Sequence, residues 1–317
     1  MPEGPGAGAG PPSVTVVGSA NVDLSIPVEV LPAPGETVLG GDTRRGPGGK
    51  GANQAVAAAR LGARSAFVGR VGDDEGGRWL RDHLAADGVD VRAVLTTSEV
   101  PTGLAVITVD AGGENSIVVS SGANAKVTVA DVESAAQVVA DADVVLTQLE
   151  TAPVVAAAVA RIANGTTILN PAPARADVAL DGFDVVVPNR GELAALSGSE
   201  ETVELAEVAD QARSLDVATV VVTLGAQGAM VVFNERPADG ADVVTLPALP
   251  VTAVDTTAAG DSFCAALAVA SAEGAGVIDA VGWAVRVAGR TVMAPGAQES
   301  LPGRAVVGHW RPDDTEL

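Results

Sequence analysis

The chain of 317 residues is poor in the side chains that build disulfides, metal centres and histidine-based catalytic sites. A single cysteine, Cys264, excludes a disulfide framework within the chain and favours a reducing, cytoplasmic setting. The two histidines, His83 and His309, lie far apart in the sequence without metal-ligand spacing. This argues against a zinc site and against Ser/His/Asp catalysis. Cys264 itself is predicted to be a small residue of the core.

Long apolar runs and basic residues are also scarce. No uninterrupted apolar run approaches the roughly 20 residues that cross a bilayer, so no membrane span is expected. The formal net charge of −21 would repel nucleic acid and anionic membranes, and we expect neither as a partner. Only two lysines occur, Lys50 and Lys126. A lysine kept in a glycine-rich loop of such an acidic protein is therefore a candidate binding group.

The first residues differ in composition from the rest of the chain. Residues 1–12 are mostly Gly, Pro and Ala and lack the basic and apolar regions of a signal peptide, so we expect a flexible tail there. The remaining sequence belongs to a chain with 47% hydrophobic residues, enough for a large core. We predict a single domain over residues 13–312.

Short apolar runs alternate with helical patterns along this domain. The runs typical of strands are residues 14–18, 66–69, 144–146, 167–169, 185–187 and 220–222, and the helical patterns between them are residues 55–61, 79–86, 129–140, 153–163 and 203–215. This rhythm predicts an α/β fold with a central, mostly parallel sheet and helices on both faces. Residues 22–46 and 100–121, rich in turn signals, are predicted to form a separate small β-sheet flap.

Polar residues follow the predicted strands and indicate a binding rim. Asn21 and Asp23 follow the first strand, and other polar groups follow four later strands, at residues 147–150, 170–173, 188–192 and 223–228. Ligands bind outside the carboxyl ends of parallel strands, so these groups are expected to meet. Asn21 and Asp23 are two residues apart and would face the same side, where they could bind the hydroxyl groups of a polyol, although a polar strand end that faces water is the alternative.

A second candidate lies near the C-terminal end, where Asp255 and Asp261 bracket small residues that lead into an apolar helical segment, Cys264 to Ala270. The free amides and positive dipole of a helix start attract anions such as phosphate, and the residues 258–260 allow close approach. Asp261 beside a bound anion suits a general base, although an ordinary helix cap is the alternative. With a usual pKa near 3.9, it would be ionised at neutral pH.

The glycine-rich stretch at residues 46–54 contains the pattern G-x-G-x-x-G. It differs from a dinucleotide-binding motif because the preceding residues are polar rather than a buried strand, and from a Walker A loop because Gly51 replaces Ser or Thr. What remains is a glycine-rich turn at a helix start, with Lys50 and Asn53 in the first turn. Such a turn can bring backbone and a cation against a ligand.

Several motifs in this order resemble one family. They are GSANVD at residues 18–23, GGKGANQAVAAARLGA at 48–63, SGANA at 121–125, TQLET at 147–151, NPAPAR at 170–175, PNRGE at 188–192, VTLGAQG at 222–228, DTTAAGDSF at 255–263 and GAQES at 296–300. Over Val14 to Pro302 the sequence resembles the PfkB-type carbohydrate kinases, the ribokinase family. The resemblance implies a three-layer ribokinase-like fold in which the small sheet is a lid over the sugar.

The resemblance also implies roles for individual residues. The sugar hydroxyls would be held by Asn21, Asp23, Gly49, Lys50, Asn53, Glu150 and Asp261. Asp261 would be the catalytic base, and the backbone of Ala258, Ala259, Gly260 and Asp261 would form the anion hole for the transferred phosphate. Asn189 and Glu192 would organise Mg²⁺ and phosphate, and the nucleotide would contact Asn189, Thr223, Gly225 and Gly228.

The implied reaction is ATP-dependent phosphorylation of ribose at its 5-hydroxyl, with Mg²⁺ accompanying ATP and K⁺ as activator. The implied K⁺ ligands are Asp255, the Thr257 carbonyl, Thr291, Ala294, Gly296 and Ser300. Pro295, which lacks an N–H group, and Glu299 depart from the expected cation loop. The helix of Trp283 is expected to border the adenine pocket. A homodimer formed through the lid is implied as well.

Three alternatives to this function stay open. Deoxyribose, fructose or another small polyol could replace ribose, because hydroxyl contacts decide the specificity. A nucleoside kinase is less favoured, since no tyrosine, four phenylalanines and three tryptophans leave little for base stacking. A non-catalytic sugar sensor is also less favoured, because Gly260, Asp261, Asn189 and Glu192 are all present.

Overall fold

The structure is a computed structural model and describes residues 10–235 and 241–310. Its strands are β1 (Ser13–Val17), β2 (Asn21–Pro27), β3 (Arg44–Gly48), β4 (Arg64–Gly72), β5 (Val94–Thr97), β6 (Gly103–Val109), β7 (Asn115–Ser120), β8 (Val144–Gln148), β9 (Thr166–Asn170), β10 (Val185–Val186), β11 (Thr219–Thr223), β12 (Ala229–Phe233) and β13 (Val243–Leu246). Its helices are α1 (Lys50–Arg60), α2 (Glu75–Ala86), α3 (Val129–Ser134), α4 (Ala136–Ala140), α5 (Pro153–Ile162), α6 (Arg190–Ser197), α7 (Leu205–Arg213), α8 (Ala259–Ala272), α9 (Val277–Thr291) and α10 (Arg304–Val307).

Nine strands form the central sheet in the order β13-β12-β11-β10-β9-β8-β1-β4-β5. The pairs from β11 through β10, β9, β8, β1 and β4 to β5 are parallel, whereas β12 and β13 add an antiparallel edge. Parallel strands bring their carboxyl ends to one edge, so the polar residues that follow β8, β9, β10 and β11 share that edge.

Helices cover both faces of this sheet, because alternate side chains of the buried strands point to opposite sides. Val14 and Val16 of β1 lie in the core with α1, α8 and α9, while Val17 lies in the core with α3, α4 and α5. Val220 and Val222 of β11 pack with α6 and α7. The result is the predicted three-layer α/β arrangement.

The small sheet has the order β3-β2-β6-β7. β2 pairs with β3 and β6 with β7 in antiparallel fashion, whereas β2 and β6 are parallel. The two segments expected to form a flap, residues 22–46 and 100–121, therefore do pair with each other. The predicted fold class, a mostly parallel central sheet with a separate small sheet, is confirmed.

Some element predictions differ from the structure. The helical pattern at residues 129–140 is divided into α3 and α4, because Ala135 leaves helical geometry at φ −96 and ψ 13. The helix predicted from Cys264 begins five residues earlier, at Ala259, so Asp261 lies inside its first turn. The strands β5, β12 and β13 were not predicted.

Two predictions fall partly on residues outside the described part of the chain. These are the flexible tail, of which residues 1–9 are not described, and the end of the domain at residues 311–312. The single-domain assignment stays a prediction. Within residues 10–235 and 241–310, none of the helices combines the length and apolarity needed to cross a membrane.

Candidate active site

The amino end of α8 forms the centre of the candidate site. Its N-cap, Ala258, has φ 60, a left-handed conformation that costs a non-glycine residue about 1–3 kcal/mol. The first amides of a helix have no intrahelical partner and carry its positive dipole end. A Cβ atom placed on Gly260 would meet no atom from another part of the protein within 4 Å, so the helix is uncovered at that residue. The small-residue loop thus leads into a helix start, as predicted, and its role as an anion hole stays a prediction.

Asp261 lies in this first turn with only 6% of its surface exposed. Its two oxygens accept hydrogen bonds from α1: Asn53 Nδ2 donates to Oδ2 at 2.9 Å and Gln54 Nε2 to Oδ1 at 3.0 Å. Burial raises the pKa of Asp261 above its usual value, and Glu150 adds to this, while Lys50 and the two amides oppose it. The ordinary pKa expected from the sequence is therefore wrong, because burial is a tertiary property.

The glycine-rich turn and β2 bring the predicted sugar-binding residues together. Gly49 has φ 88, and a Cβ there would lie 2.8 Å from Ala20 Cα, so the turn requires glycine. Glu150 Oε2 accepts the Lys50 backbone N–H at 3.1 Å and also the Ser19 hydroxyl. Asn21 Oδ1 accepts from Asn124 Nδ2 at 2.7 Å.

Asp23 has the most perturbed environment of this group. Burial raises its pKa from 3.8 to about 7, with further contributions from Glu150, Glu299 and Asp261. Its Oδ1 is buried without a hydrogen-bond partner among the described residues. A buried, unsatisfied acceptor facing this cluster suits a ligand that donates hydroxyl groups.

Lys50 supplies the positive charge of this cluster. Burial lowers the pKa of its ammonium group, but the nearby carboxylates of Asp261, Glu150 and Glu192 outweigh this effect, and the net shift is upward. Lys50 therefore stays protonated at neutral pH. Its charge acts on Asp261 in the first turn of α8 and on Glu192 in the first turn of α6.

Asn189 and Glu192 lie at the start of α6 and cap it reciprocally. Asn189 Oδ1 accepts the Glu192 N–H at 2.8 Å, and Glu192 Oε2 accepts the Asn189 N–H at 2.9 Å. Burial raises the pKa of Glu192, although the Asn189 hydrogen bond and Lys50 lower it. One Glu192 oxygen is occupied by the cap, and oxygen atoms of this kind are ligands that Mg²⁺ accepts.

The predicted nucleotide loop lies beside this cap. Thr223 forms a parallel bridge with Asn189, and its N–H donates to the Pro188 carbonyl at 2.9 Å. Gly225 and Gly228 have φ 60 and 95, and a Cβ on Gly228 would overlap the Leu246 carbonyl oxygen at 2.0 Å. Both predicted glycines are thus required by the turn geometry.

Asp255 ties two segments of the predicted K⁺ loop together, residues 255–257 and residue 296. Asp255 Oδ1 accepts the Thr257 N–H and Oδ2 accepts the Gly296 N–H, both at 2.9 Å. Burial alone would raise the pKa of Asp255, but hydrogen bonds from Thr257 and Gly296 outweigh it and lower the pKa, so the carboxylate is ionised at neutral pH. The Thr291 hydroxyl donates to Ser262 Oγ at 2.8 Å, and the Ser300 hydroxyl to the Ala297 carbonyl at 2.8 Å, so both are engaged within the protein.

Two residues near this region have surroundings that the sequence did not show. Trp283 is completely buried, with the Arg304 guanidinium carbon 4.9 Å from its ring centre, and a border between its helix and the adenine stays a prediction. Glu299 lies beside the predicted cation loop, since its Oε2 would be 2.8 Å from a Cβ on Gly296, and it also approaches the small sheet. A Cβ on Gly46 of β3 would lie 3.3 Å from Glu299 Oε1, and the charge of Glu299 acts on Asp23.

Sequence reasoning gave no individual role to a set of buried amides next to the site, although it counted Gln148 and Asn170 in the polar rim. These amides are Gln54, Asn124, Gln148, Asn170 and Gln298. All five were visible as polar residues inside the motifs quoted above. Gln54 in an otherwise alanine-rich helix is the clearest signal, because a buried amide needs partners that a helix alone does not provide.

The open helix start, the buried carboxylate in its first turn and the polar cluster beneath a small sheet place this protein among α/β phosphotransferases that act on a small hydroxyl-bearing molecule. The three-layer fold positions all three features at the carboxyl ends of the parallel strands. The site indicates the class of enzyme, and similarity to known proteins shows the family within that class.

The comparisons agree with this class. Residues 11–304 match the family described as pfkB family carbohydrate kinase. Ribokinase of Bacillus subtilis (strain 168) is 39% identical over 297 residues, covering 92% of this chain and 97% of that protein. The crystal structure of ribokinase from Thermotoga maritima has a TM-score of 0.83 at 34% identity, covering 94% of this chain and 98% of that one. Arabidopsis thaliana ribokinase, solved with ribose and ATP, has a TM-score of 0.79 at 32% identity, covering 94% and 97%.

The chain belongs to the pfkB family of carbohydrate kinases, and it is a sugar kinase. The family expected from the motifs is confirmed, as is the expected ribokinase-like fold. The roles of individual residues, the sugar and the cations are matters for proposal.

Proposed function

We propose that this protein transfers the γ-phosphoryl group of ATP to the 5-hydroxyl of ribose. The observation that carries the proposal is the position of Asp261, which is fixed by two amides in the first turn of a helix whose second residue, Gly260, is uncovered. The similarity to Arabidopsis thaliana ribokinase, a structure that contains ribose and ATP, supports this choice of substrates.

In the proposed mechanism, Asp261 accepts the proton of the sugar 5-hydroxyl. The sugar oxygen attacks the γ-phosphorus of ATP, and ADP leaves. A carboxylate whose pKa is raised by burial is a better proton acceptor than an ordinary one and suits a base that works near neutral pH. The backbone amides of Ala259, Gly260 and Asp261 would stabilise the charge on the equatorial oxygens. Lys50 would add a positive charge beside them.

The sugar would occupy the cluster of Asn21, Asp23, Gly49, Lys50, Asn53 and Glu150, whose carboxylates and amides suit hydroxyl groups. The nucleotide would lie along Asn189, Thr223, Gly225 and Gly228. Closure of the small sheet over the sugar would exclude water and limit ATP hydrolysis.

Two cations complete the proposal. Mg²⁺ bound with ATP near Asn189 and Glu192 would supply charge compensation for the phosphates. K⁺ would be held by the oxygen atoms of Asp255, Thr257, Thr291, Ala294, Gly296 and Ser300. The ionised Asp255, which ties residue 257 to residue 296, fits such a ligand, and a filled site would stiffen the loop that leads into α8.

We also propose a homodimer formed through the small sheet. All six residues of β7 are exposed, and Ile117, Val118 and Val119 expose 53%, 69% and 48% of their surfaces. An exposed apolar edge strand needs a cover, and a second copy of the small sheet would provide one. A cytoplasmic location stays a prediction.

The substrate is tested by ADP release over ribose, deoxyribose, fructose and adenosine, each with and without K⁺. We expect the highest kcat/KM with ribose and an increase when K⁺ is present. Turnover of adenosine without turnover of ribose would show that the enzyme is a nucleoside kinase, and equal rates with and without K⁺ would remove the cation site from the proposal.

A further inference from the structure

The orientation of the Asp261 carboxylate is fixed from both sides. A free aspartate side chain has a broad, roughly two-fold terminal torsion, so its carboxylate plane is poorly defined without partners. Here Asn53 donates to one oxygen and Gln54 to the other, at 2.9 and 3.0 Å. Both donors come from consecutive residues of α1, so the plane of the carboxylate is set by that helix.

Gln54 is itself fixed by two other amides. Gln148 Nε2 donates to Gln54 Oε1, which identifies that atom as the acceptor and directs the Gln54 NH₂ group toward Asp261. The second hydrogen of the Gln54 NH₂ group goes to Asn170 Oδ1 at 3.2 Å. The Gln54 amide therefore uses both of its N–H donors and its oxygen acceptor. Exchanging its oxygen and nitrogen positions would break these hydrogen bonds.

The network is sealed from water and reaches the main chain at Asn170, whereas Gln148 Oε1 at its other end has no hydrogen-bond partner among the described residues. Asn170 Nδ2 donates to the Val187 carbonyl at 3.0 Å, which fixes the orientation of the Asn170 amide in turn. Gln54 and Gln148 are completely buried and Asn170 is 7% exposed. A Cβ on Gly18 would lie 2.1 Å from Gln148 Oε1, so the backbone of Gly18 confines that side chain as well.

We propose that Gln54 is a positioning residue for the base, held in register by Gln148 and Asn170 so that a lone pair of Asp261 points at the sugar hydroxyl. The proposal rests on the proposed function, because it takes Asp261 as the base. A buried chain of three amides that ends on one carboxylate oxygen is more than the core needs, since an apolar residue at position 54 would fill the same space without polar atoms to satisfy.

The test uses Gln54→Met and Gln148→Met, with Thr15→Val as the control. Methionine keeps the length of the side chain and removes the amide. Thr15 is 2% exposed and donates one hydrogen bond, to the Val138 carbonyl at 2.9 Å, so the control also loses a buried hydrogen bond but has no contact with Asp261. Melting temperature, kcat, KM and the pH profile of kcat are measured for each, on the best substrate of the panel.

For Gln54→Met we expect a loss in kcat on the order of 10²-fold, little change in the KM for sugar, and a pH profile displaced to higher pH, because a lost donor raises the pKa of a carboxylate. Gln148→Met should lower kcat by a smaller factor. In the double variant it should lower kcat no further than Gln54→Met alone does, since Gln148 acts through Gln54. Thr15→Val should lower only the melting temperature. A purely structural role for Gln54 predicts that its variant behaves like Thr15→Val.

A second readout does not depend on the substrate. The Asp261 carboxyl can be titrated by ¹³C NMR, with its signal assigned from Asp261→Asn. The other titratable groups that face it, Lys50, Glu150, Glu192 and Cys264 together with Asp23, are unchanged in these variants. We expect the Asp261 titration to move upward in Gln54→Met and not in Thr15→Val.

The two readouts separate the possible failures. An inactive wild type whose Asp261 titration still responds to Gln54→Met would overturn the proposed function and leave the positioning intact. An active wild type with unchanged titration, kcat and pH profile in a folded Gln54→Met overturns the positioning. Should Gln54→Met not fold, Gln148→Met decides, because it leaves Asp261 and its direct partners in place.

Discussion

The Asp261 carboxylate combines burial with an adjacent ammonium group and two amide donors, an environment that suits a base rather than a cap. Replacing Asp261 with Asn removes the proton acceptor but keeps the shape, so we expect kcat to fall about 10²–10⁴-fold. Ribose affinity, measured by calorimetry, should change far less. Asp279→Asn is the control, because Asp279 holds the same third position of α9 on an exposed surface. Equal activity of both variants would remove Asp261 from the role of base.

Asp23 makes the site sensitive to pH. Since its folded-state pKa is about 7 against a usual 3.8, the folded protein holds this proton more tightly than the unfolded chain between those values. Its contribution to the free energy of unfolding is therefore present at low pH and is lost as the pH rises toward 7. We expect Asp23→Asn to melt higher than the wild type above pH 7 and at a similar temperature near pH 4. A melting difference that does not vary with pH would contradict the shifted pKa.

The ionised form of Asp23 should also be the form that accepts a sugar hydroxyl. Ribose affinity of the wild type should rise as the pH increases through about 7, the pKa of Asp23. In Asp23→Asn the affinity should be weak and should lose this dependence. Calorimetric titrations from pH 5.5 to 8.5 would show it, and a wild-type affinity that is flat over this range would place Asp23 outside the sugar contacts.

Single residues show what sequence could and could not predict. The motifs predicted which residues would collect at the site, and the structure places Asp23, Lys50, Asn53 and Asp261 together. The raised pKa values could not be predicted, because they depend on which groups exclude water from a carboxylate. The approach of Glu299 to Gly46 of the small sheet could not be predicted either, because the two residues are far apart in the sequence.

The turn into α1 is crowded at several glycines, and of Gly48, Gly49 and Gly51 only Gly49 also has a positive φ. Gly49 has φ 88, and a Cβ there would lie 2.8 Å from both Ala20 Cα and the Asn21 nitrogen, so Gly49→Ala would strain the turn and move Asn21. Gly88→Ala is the matched control, because Gly88 has φ 83 and open space around its Cβ position. In both variants we expect backbone strain to lower the free energy of unfolding, measured with urea, by about 1–3 kcal/mol. Gly49→Ala should cost more and also weaken ribose binding, and equal losses would show that the close approach is unimportant.

Strands that alternate with helices were predicted well, and β5, β12 and β13 were not. The alternation of apolar runs and helices predicted the parallel strands from β1 to β11, because strands buried on both faces are almost wholly apolar. The strand β5 has four residues, and β12 and β13 form an antiparallel edge that breaks the alternation of strand and helix. Their pairing is set by neighbours distant in the sequence, which a local pattern does not contain.

The whole molecule brings together two separate sheets. The proposed sugar cluster joins β2 of the small sheet to α1, and the proposed phosphate region would be formed by α8 and α6. Motifs almost the whole chain apart therefore meet at one place, where Asn53 and Gln54 of α1 contact Asp261 of α8. The order of the motifs predicted that they belong to one fold. The distances between the motifs could be obtained only from the three-dimensional structure. The small sheet leaves β7 exposed, and the proposed dimer would cover this strand.

The register of the small sheet indicates which of its faces a second copy would cover. Val119 pairs with Ala105, which pairs with Asp23, so Val119 and Ile117, two residues earlier, lie on the face that carries Asp23. Val118 lies on the opposite face. A dimer that also closes the sugar site would bury the first face, so Ile117→Glu should yield monomers in size-exclusion chromatography with light scattering and raise the KM for ribose. Val118→Glu, the matched control, should stay dimeric. Monomers from Val118→Glu alone would assign the interface to the other face, and a monomeric wild type at micromolar concentration would remove the dimer from the proposal.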